Sequence, residues 1–147
     1  MKMGLDMYLT GVKTHRKYPQ DECDWNPDTD MRPKMDSFAV SKSIIDVGYW
    51  RKHADLHGYI VNTFAEGIDE CQEIELSDKD CTKIAWALAN NKLPHTEGFF
   101  FGNQEIRDEY ISEGEEHAVV FRAMARWLET TDKDREHFRY AVYQASW

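Results

Sequence analysis

Leu5, Met7 and Leu9 alternate with Asp6, Tyr8 and Thr10, and this period of two predicts a strand over residues 4–12 with one apolar face and one polar face turned toward a cleft. From Lys13 to Asp36 the apolar period disappears. Three prolines and many acids fall in that stretch, and its length exceeds ordinary connections, so it reads as a polar, acidic excursion over about 13–36. Phe38, Val40, Ile44, Ile45 and Val47 predict a second extended segment over 37–47, ended by Gly48.

Trp50, His53, Ala54, His57, Ile60, Val61 and Phe64 recur at three- and four-residue intervals, which predicts an amphipathic helix from Tyr49 to about Ala65. Gly58 weakens it by roughly 1 kcal/mol relative to alanine. A short strand is expected at about 72–76. Ser77 followed by Asp80 forms a capping-box signature for a second helix with Ile84, Ala85, Leu88 and Ala89 inward, stopping near Asn90-Asn91 before Pro94. Gln104 to Tyr110 predicts a helical turn, Glu115 to Glu129 a helix with Ala118, Phe121, Ala125 and Leu128 on one face, and 137–146 a closing strand. The expected fold class is α+β: a single domain over 1–147, with a mainly antiparallel sheet of about four strands and about three helices packed on one face.

Composition narrows the function classes. The formal net charge of -9 argues against direct nucleic-acid binding, which depends on Lys and Arg neutralising phosphates, and suits a basic partner or a soluble surface. Cys23, Cys71 and Cys81 are odd in number and lack CxxC spacing, so neither a disulfide framework nor a thiolate zinc site is expected. The expected setting is a reducing cytoplasm. Met1-Lys2-Met3-Gly4 runs straight into the first strand and no long apolar run follows, so neither a signal peptide nor a membrane span is expected.

Three clusters bear on chemistry. In Tyr49-Trp50-Arg51-Lys52-His53-Ala54-Asp55-Leu56-His57, aromatic, cationic and imidazole groups share helical turns and suit a bound anion. The two histidines have metal-ligand spacing, but the glutamate of HExxH is missing, and no metal is expected. Asp24, Asn26, Asp28 and Asp30 alternate like the start of a calcium loop, yet Thr29 and Met35 stand where glycine and a bidentate glutamate are needed. Gly98-Phe99-Phe100-Phe101-Gly102, followed by Glu105, Asp108, Glu109 and Tyr110, places rings beside carboxylates; the rings pack a core or stack on a ligand. No GxSxG elbow or GxxxxGK[ST] loop occurs. No cofactor is expected.

Gly4-Leu5-Asp6-Met7-Tyr8-Leu9, Tyr49-Trp50-Arg51-Lys52 with His57, and Gly98-Phe99-Phe100-Phe101-Gly102 together resemble a family of small phage- and prophage-encoded proteins across roughly residues 4–110. Some members carry a phosphoglycerate kinase label, which a chain of one domain's length without a phosphate-cradling loop does not fit. The resemblance implies a phage accessory protein acting in the host cytoplasm. The reading favours a binding module for a small anionic metabolite or nucleotide signal in counter-defence. Its site residues would be Asp6, Tyr8, Tyr49, Trp50, Arg51, Lys52, His57, Phe99, Phe100, Phe101 and Asp108. Two alternatives stand beside it: an acidic inhibitor docking on a host protein, and a small hydrolase or transferase built from Asp6, His57 and Asp108. A homo-oligomer is compatible with each.

Overall fold

Leu5, Met7 and Leu9 are fully buried, and the strand that carries the last two, β1 (Asp6–His15), lies at the centre of the protein. The computed structural model describes residues 4–17, 30–97, 104–130 and 137–147. A small hairpin follows, β2 (Lys34–Met35) and β3 (Phe38–Ala39), then β4 (Lys42–Arg51), α1 (Ala54–Phe64), β5 (Ile74–Leu76), α2 (Asp78–Ala89), α3 (Gln104–Ser112), α4 (Gly114–Glu129) and β6 (His137–Ser146). The main sheet has the order β4-β1-β6-β5, and each neighbouring pair is antiparallel. The α+β expectation of about four strands is met.

One sheet face forms the core. Leu5, Met7, Leu9, Trp50, Ala141, Tyr143 and Ala145 meet Leu56 and Ile60 of α1, Cys81, Ile84 and Leu88 of α2, and Phe121 and Met124 of α4. These are three helices with an apolar face, as expected; a fourth, α3, buries no residue. Ser77 accepts from the Asp80 backbone N–H, and the Asp80 side chain accepts in return from Ser77 N–H, so the predicted capping box starts α2. Close approach sets the α2–α4 packing: a Cβ on Gly114 would stand 2.4 Å from the Leu88 carbonyl oxygen.

Several boundaries differ from the sequence expectation. The first strand runs three residues further, to His15, because Thr14 and His15 still pair with β6; the excursion is correspondingly shorter at that end, and 34–35 enter the hairpin. Residues 18–29, including Asp24, Asn26 and Asp28, lie outside the described residues. Gly48 does not end a strand. It sits within β4, facing Leu9 across the ladder, next to a register shift that leaves Val47 as the extra residue. Tyr49, Trp50 and Arg51 are therefore strand residues, not helical ones. The chain turns at Lys52, whose φ is +56°, a left-handed conformation that costs a non-glycine residue of order 1 kcal/mol.

Gly58 in mid-α1 has a packing reason. A Cβ there would fall 2.0 Å from Thr96 Oγ1 and 2.8 Å from Thr96 Cβ, so Thr96 lies directly on the helix while its N–H donates to Asp55 Oδ1 at 2.8 Å. Alanine normally stabilises a helix interior by roughly 1 kcal/mol over glycine. Gly58→Ala is expected instead to lower the melting temperature, since Thr96 must leave its seat; a rise would contradict this packing.

Candidate functional site

The bend at Lys52 throws the chain from β4 into α1 and places His53 at the helix N-cap, where Nδ1 accepts from Leu56 N–H at 3.4 Å. The imidazole is 5 % exposed and lies flat on the Tyr110 ring, with centroids 4.0 Å apart and an interplanar angle of 11°. Burial, helped by the charge of His117 and opposed by Asp55, lowers its pKa to about 3. The ring is thus neutral near pH 7. Because Nδ1 is the acceptor, Nε2 carries the proton, and that N–H has no partner among the described residues. An unsatisfied buried donor costs about 1–3 kcal/mol.

Tyr110 ties α3 to the bend. Its hydroxyl donates to the Arg51 carbonyl at 2.6 Å and accepts from Arg51 N–H at 3.2 Å. One turn earlier on α3, Arg107 Nε donates to Asp55 Oδ2 at 2.8 Å. Asp55 is itself 5 % exposed and has His95 Nδ1 at 3.4 Å from Oδ1. Beneath Tyr110, Trp50 Nε1 donates to His117 Nδ1 at 2.9 Å, which leaves Nε2 of His117 to donate to Glu113 at 3.2 Å. The Trp50 ring stacks on Phe121, 5.2 Å between centroids.

Two concavities flank Tyr110. The outer one is an open groove of about 550 Å³ lined by Tyr49, Trp50, Arg51, Lys52, Glu109, Glu113 and His117, among others. The inner one is a smaller cavity of about 80 Å³ lined by His53, Asp55, Leu88, Leu93, Arg107 and Ile111, among others. The groove pairs a cationic wall from the bend with carboxylates from the α3–α4 junction. It has the size of ordinary small-molecule sites.

No family model, curated protein or solved structure matches the chain.

The sequence-predicted residues divide among several places. Tyr49, Trp50, Arg51 and Lys52 line the groove. Asp6 and Tyr8 stand beside Tyr49 and Arg51 on the helix-free sheet face: Tyr49 donates to Asp6 Oδ1 at 2.6 Å, a bond that raises the Tyr49 pKa. Arg51 Nε is 4.0 Å from the same oxygen, and the Tyr8 and Tyr49 rings are 5.3 Å apart. Trp50 points the opposite way, into the core, because successive strand residues alternate; it forms the groove's floor.

His57 does not join this group. It is 2 % exposed and its neighbour Tyr143 is fully buried. Nε2 lies 3.0 Å from Asp69 Oδ2 and Nδ1 2.6 Å from the Tyr143 hydroxyl. A carboxylate only accepts, so Nε2 donates to Asp69 while Nδ1 pairs with the Tyr143 hydroxyl; burial pushes the Tyr143 phenol up. Asp108 is on the exposed side of α3, accepting from Gln104 at 2.7 Å. Asp6, His57 and Asp108 therefore do not converge on one point. Phe99, Phe100 and Phe101 lie outside the described residues.

Sequence reading missed His53, Asp55, Arg107, Tyr110 and His117 as a unit. His53 and Asp55 stood in the central cluster and Tyr110 closed the acidic run after the phenylalanines, but nothing local pointed to Arg107 or His117 as their partners. Among the described residues no group of three or more His, Cys, Asp or Glu could hold a metal, and no helix is long and apolar enough to cross a membrane. Burial, with Asp80 and Asp78 adding to it, raises the Cys81 pKa to about 12, so the thiol is protonated and unreactive.

Proposed function

We propose that the protein is a binding module that holds a small anionic metabolite or nucleotide signal in the outer groove. The observation that supports this reading is the bend that sets Arg51 and Lys52 against the Tyr110 and His117 rings in one concavity. Its cations take the anionic group and its rings take a base or another flat body. Glu109 and Glu113, on the same groove, accept from hydroxyl or amino donors of the ligand. With the resemblance described above, this makes the chain a phage accessory protein that sequesters such a signal in the host cytoplasm, in counter-defence.

A panel of nucleotides and metabolite anions tests the reading by thermal unfolding. Ligand at a hundredfold over Kd stabilises by about 2.7 kcal/mol, which for a chain of this length raises Tm by roughly 5–10 °C. Arg51→Gln with Lys52→Gln is expected to abolish the rise while leaving the unliganded Tm within about 2 °C. A flat panel, or an undiminished rise in the double variant, contradicts the proposal.

A second reading has its own observation. The helix-free sheet face exposes Tyr8, Ile44, Tyr49 and Phe138, and an exposed apolar cluster on an acidic protein suits docking on a basic host protein. In that case, Ile44→Glu removes capture of the host protein and leaves nucleotide-dependent stabilisation unchanged.

A further inference from the structure

Strand β4 is an edge of the main sheet, and its register shows which backbone groups that edge presents. His15 N–H donates to the Ser41 carbonyl at 2.9 Å. Alternation along the β1–β4 ladder from that bond turns the N–H and C=O of Ser43 and Ile45 toward β1, and those of Lys42, Ile44 and Asp46 outward. At the far end of β4 the Arg51 backbone also faces outward, and there the Tyr110 hydroxyl takes both of its groups. Among the described residues nothing does the same for Lys42, Ile44 or Asp46. All three are exposed, Ile44 to 63 %. The bulge at Val47 ends the regular run, so residues 42–46 form an open template for another strand.

The side chains of this run specify the strand that fits it. Lys42 and Asp46 stand symmetrically about Ile44, and neither has an ion-pair partner among the described residues. When a second copy is laid antiparallel with Ile44 opposite Ile44, Lys42 of each copy faces Asp46 of the other. The outward N–H and C=O groups of Lys42, Ile44 and Asp46 then all gain partners, and opposite charges meet across the strands at both ends of the contact. Centring the pairing on Ser43 or on Ile45 loses this match, because it sets Lys42 and Asp46 opposite uncharged residues. We propose that two copies of the chain join through residues 42–46 of β4, antiparallel about a two-fold axis at Ile44, so that their sheets continue edge to edge. Such a contact is isologous and closes on itself. It is smaller than a permanent interface, so the dimer is concentration-dependent. This pairing does not rest on the outer groove binding a ligand.

Sedimentation velocity of the full chain, from about 10 µM to about 1 mM, tests the pairing across the range of a weak interface. About 0.15 M salt screens the general repulsion between two chains of formal charge -9 beyond about 8 Å. The wild type is expected to pass reversibly from monomer to dimer. Lys42→Glu and Asp46→Lys each place like charges opposite one another at both ends of the contact, and each should weaken self-association about tenfold. An equimolar mixture of the two variants should regain a dimer of wild-type strength, because each changed chain then meets its opposite. Both positions are exposed, so each variant keeps the wild-type melting temperature within about 2 °C. A wild type that stays monomeric throughout, single variants that dimerise as tightly as the wild type, or a mixture no stronger than its components would each overturn the proposal.

Discussion

Phe121→Ala is expected to lower stability by about 3–5 kcal/mol. Phe121 is fully buried on α4 and lies nearly parallel to Trp50, at 13°, so truncation opens a void directly under the groove's floor. The Trp50 ring then loses the support that aims Nε1 at His117. Urea unfolding measures the loss, with Val119→Ala on the exposed side of the same helix as a control expected to change stability by no more than about 0.5 kcal/mol. A Phe121→Ala loss near that of the control would mean that the ring is not a packing element.

The second large effect is a pH dependence centred on His53. The folded chain keeps this imidazole neutral down to about pH 3, whereas an unperturbed ring takes its proton near 6.5. Between those values the unfolded state binds more protons than the folded state, so stability rises with pH. The contribution is complete above about pH 6.5 and falls as the solution becomes more acidic, by about 2 kcal/mol at pH 5. His53→Asn retains the cap and removes the titration. The difference in unfolding free energy between wild type and variant should therefore shrink by about that amount from pH 7 to pH 5. A pH-independent difference would show that His53 is not held neutral by the fold.

Local patterns carried most of the fold. Leu5, Met7 and Leu9 marked the central strand, Ser77 and Asp80 marked the start of α2, and the terminal alternation matched β6 (His137–Ser146). Besides strand ends near 12–15 and 34–41, where β3 and β4 are separate strands, the failure lay in residues 48–53. There Trp50 belongs to two overlapping patterns, the period of two ending β4 and the three-to-four spacing continued by His53 and His57. A strand-to-helix bend made by Lys52 in a left-handed conformation has no glycine to announce it. Gly48, which resembles a terminator, is small because the Trp50 ring passes 2.5 Å from where its Cβ would be.

The site was half legible for the same reason. Tyr49, Trp50, Arg51 and Lys52 are contiguous and chemically conspicuous, and they do line one groove. Their partners come from α3 and α4, and pairs such as Asp55–Arg107 and Trp50–His117 are separated by more than fifty residues of chain, so no spacing rule links them. His57 shared the helical face expected of a ligand residue, but an inward-facing histidine is as well satisfied by Tyr143 and Asp69 as by a ligand.

The Trp50 indole N–H reports directly on the groove, because its acceptor is His117, whose ring lines the floor. Its resonance, followed during titration with nucleotides and small metabolite anions, is predicted to shift saturably with at least one of them, together with the backbone amides of Arg51 and Lys52. If a ligand that raises the melting temperature leaves all three signals in place, or if none of the panel moves them, the groove is not the binding site.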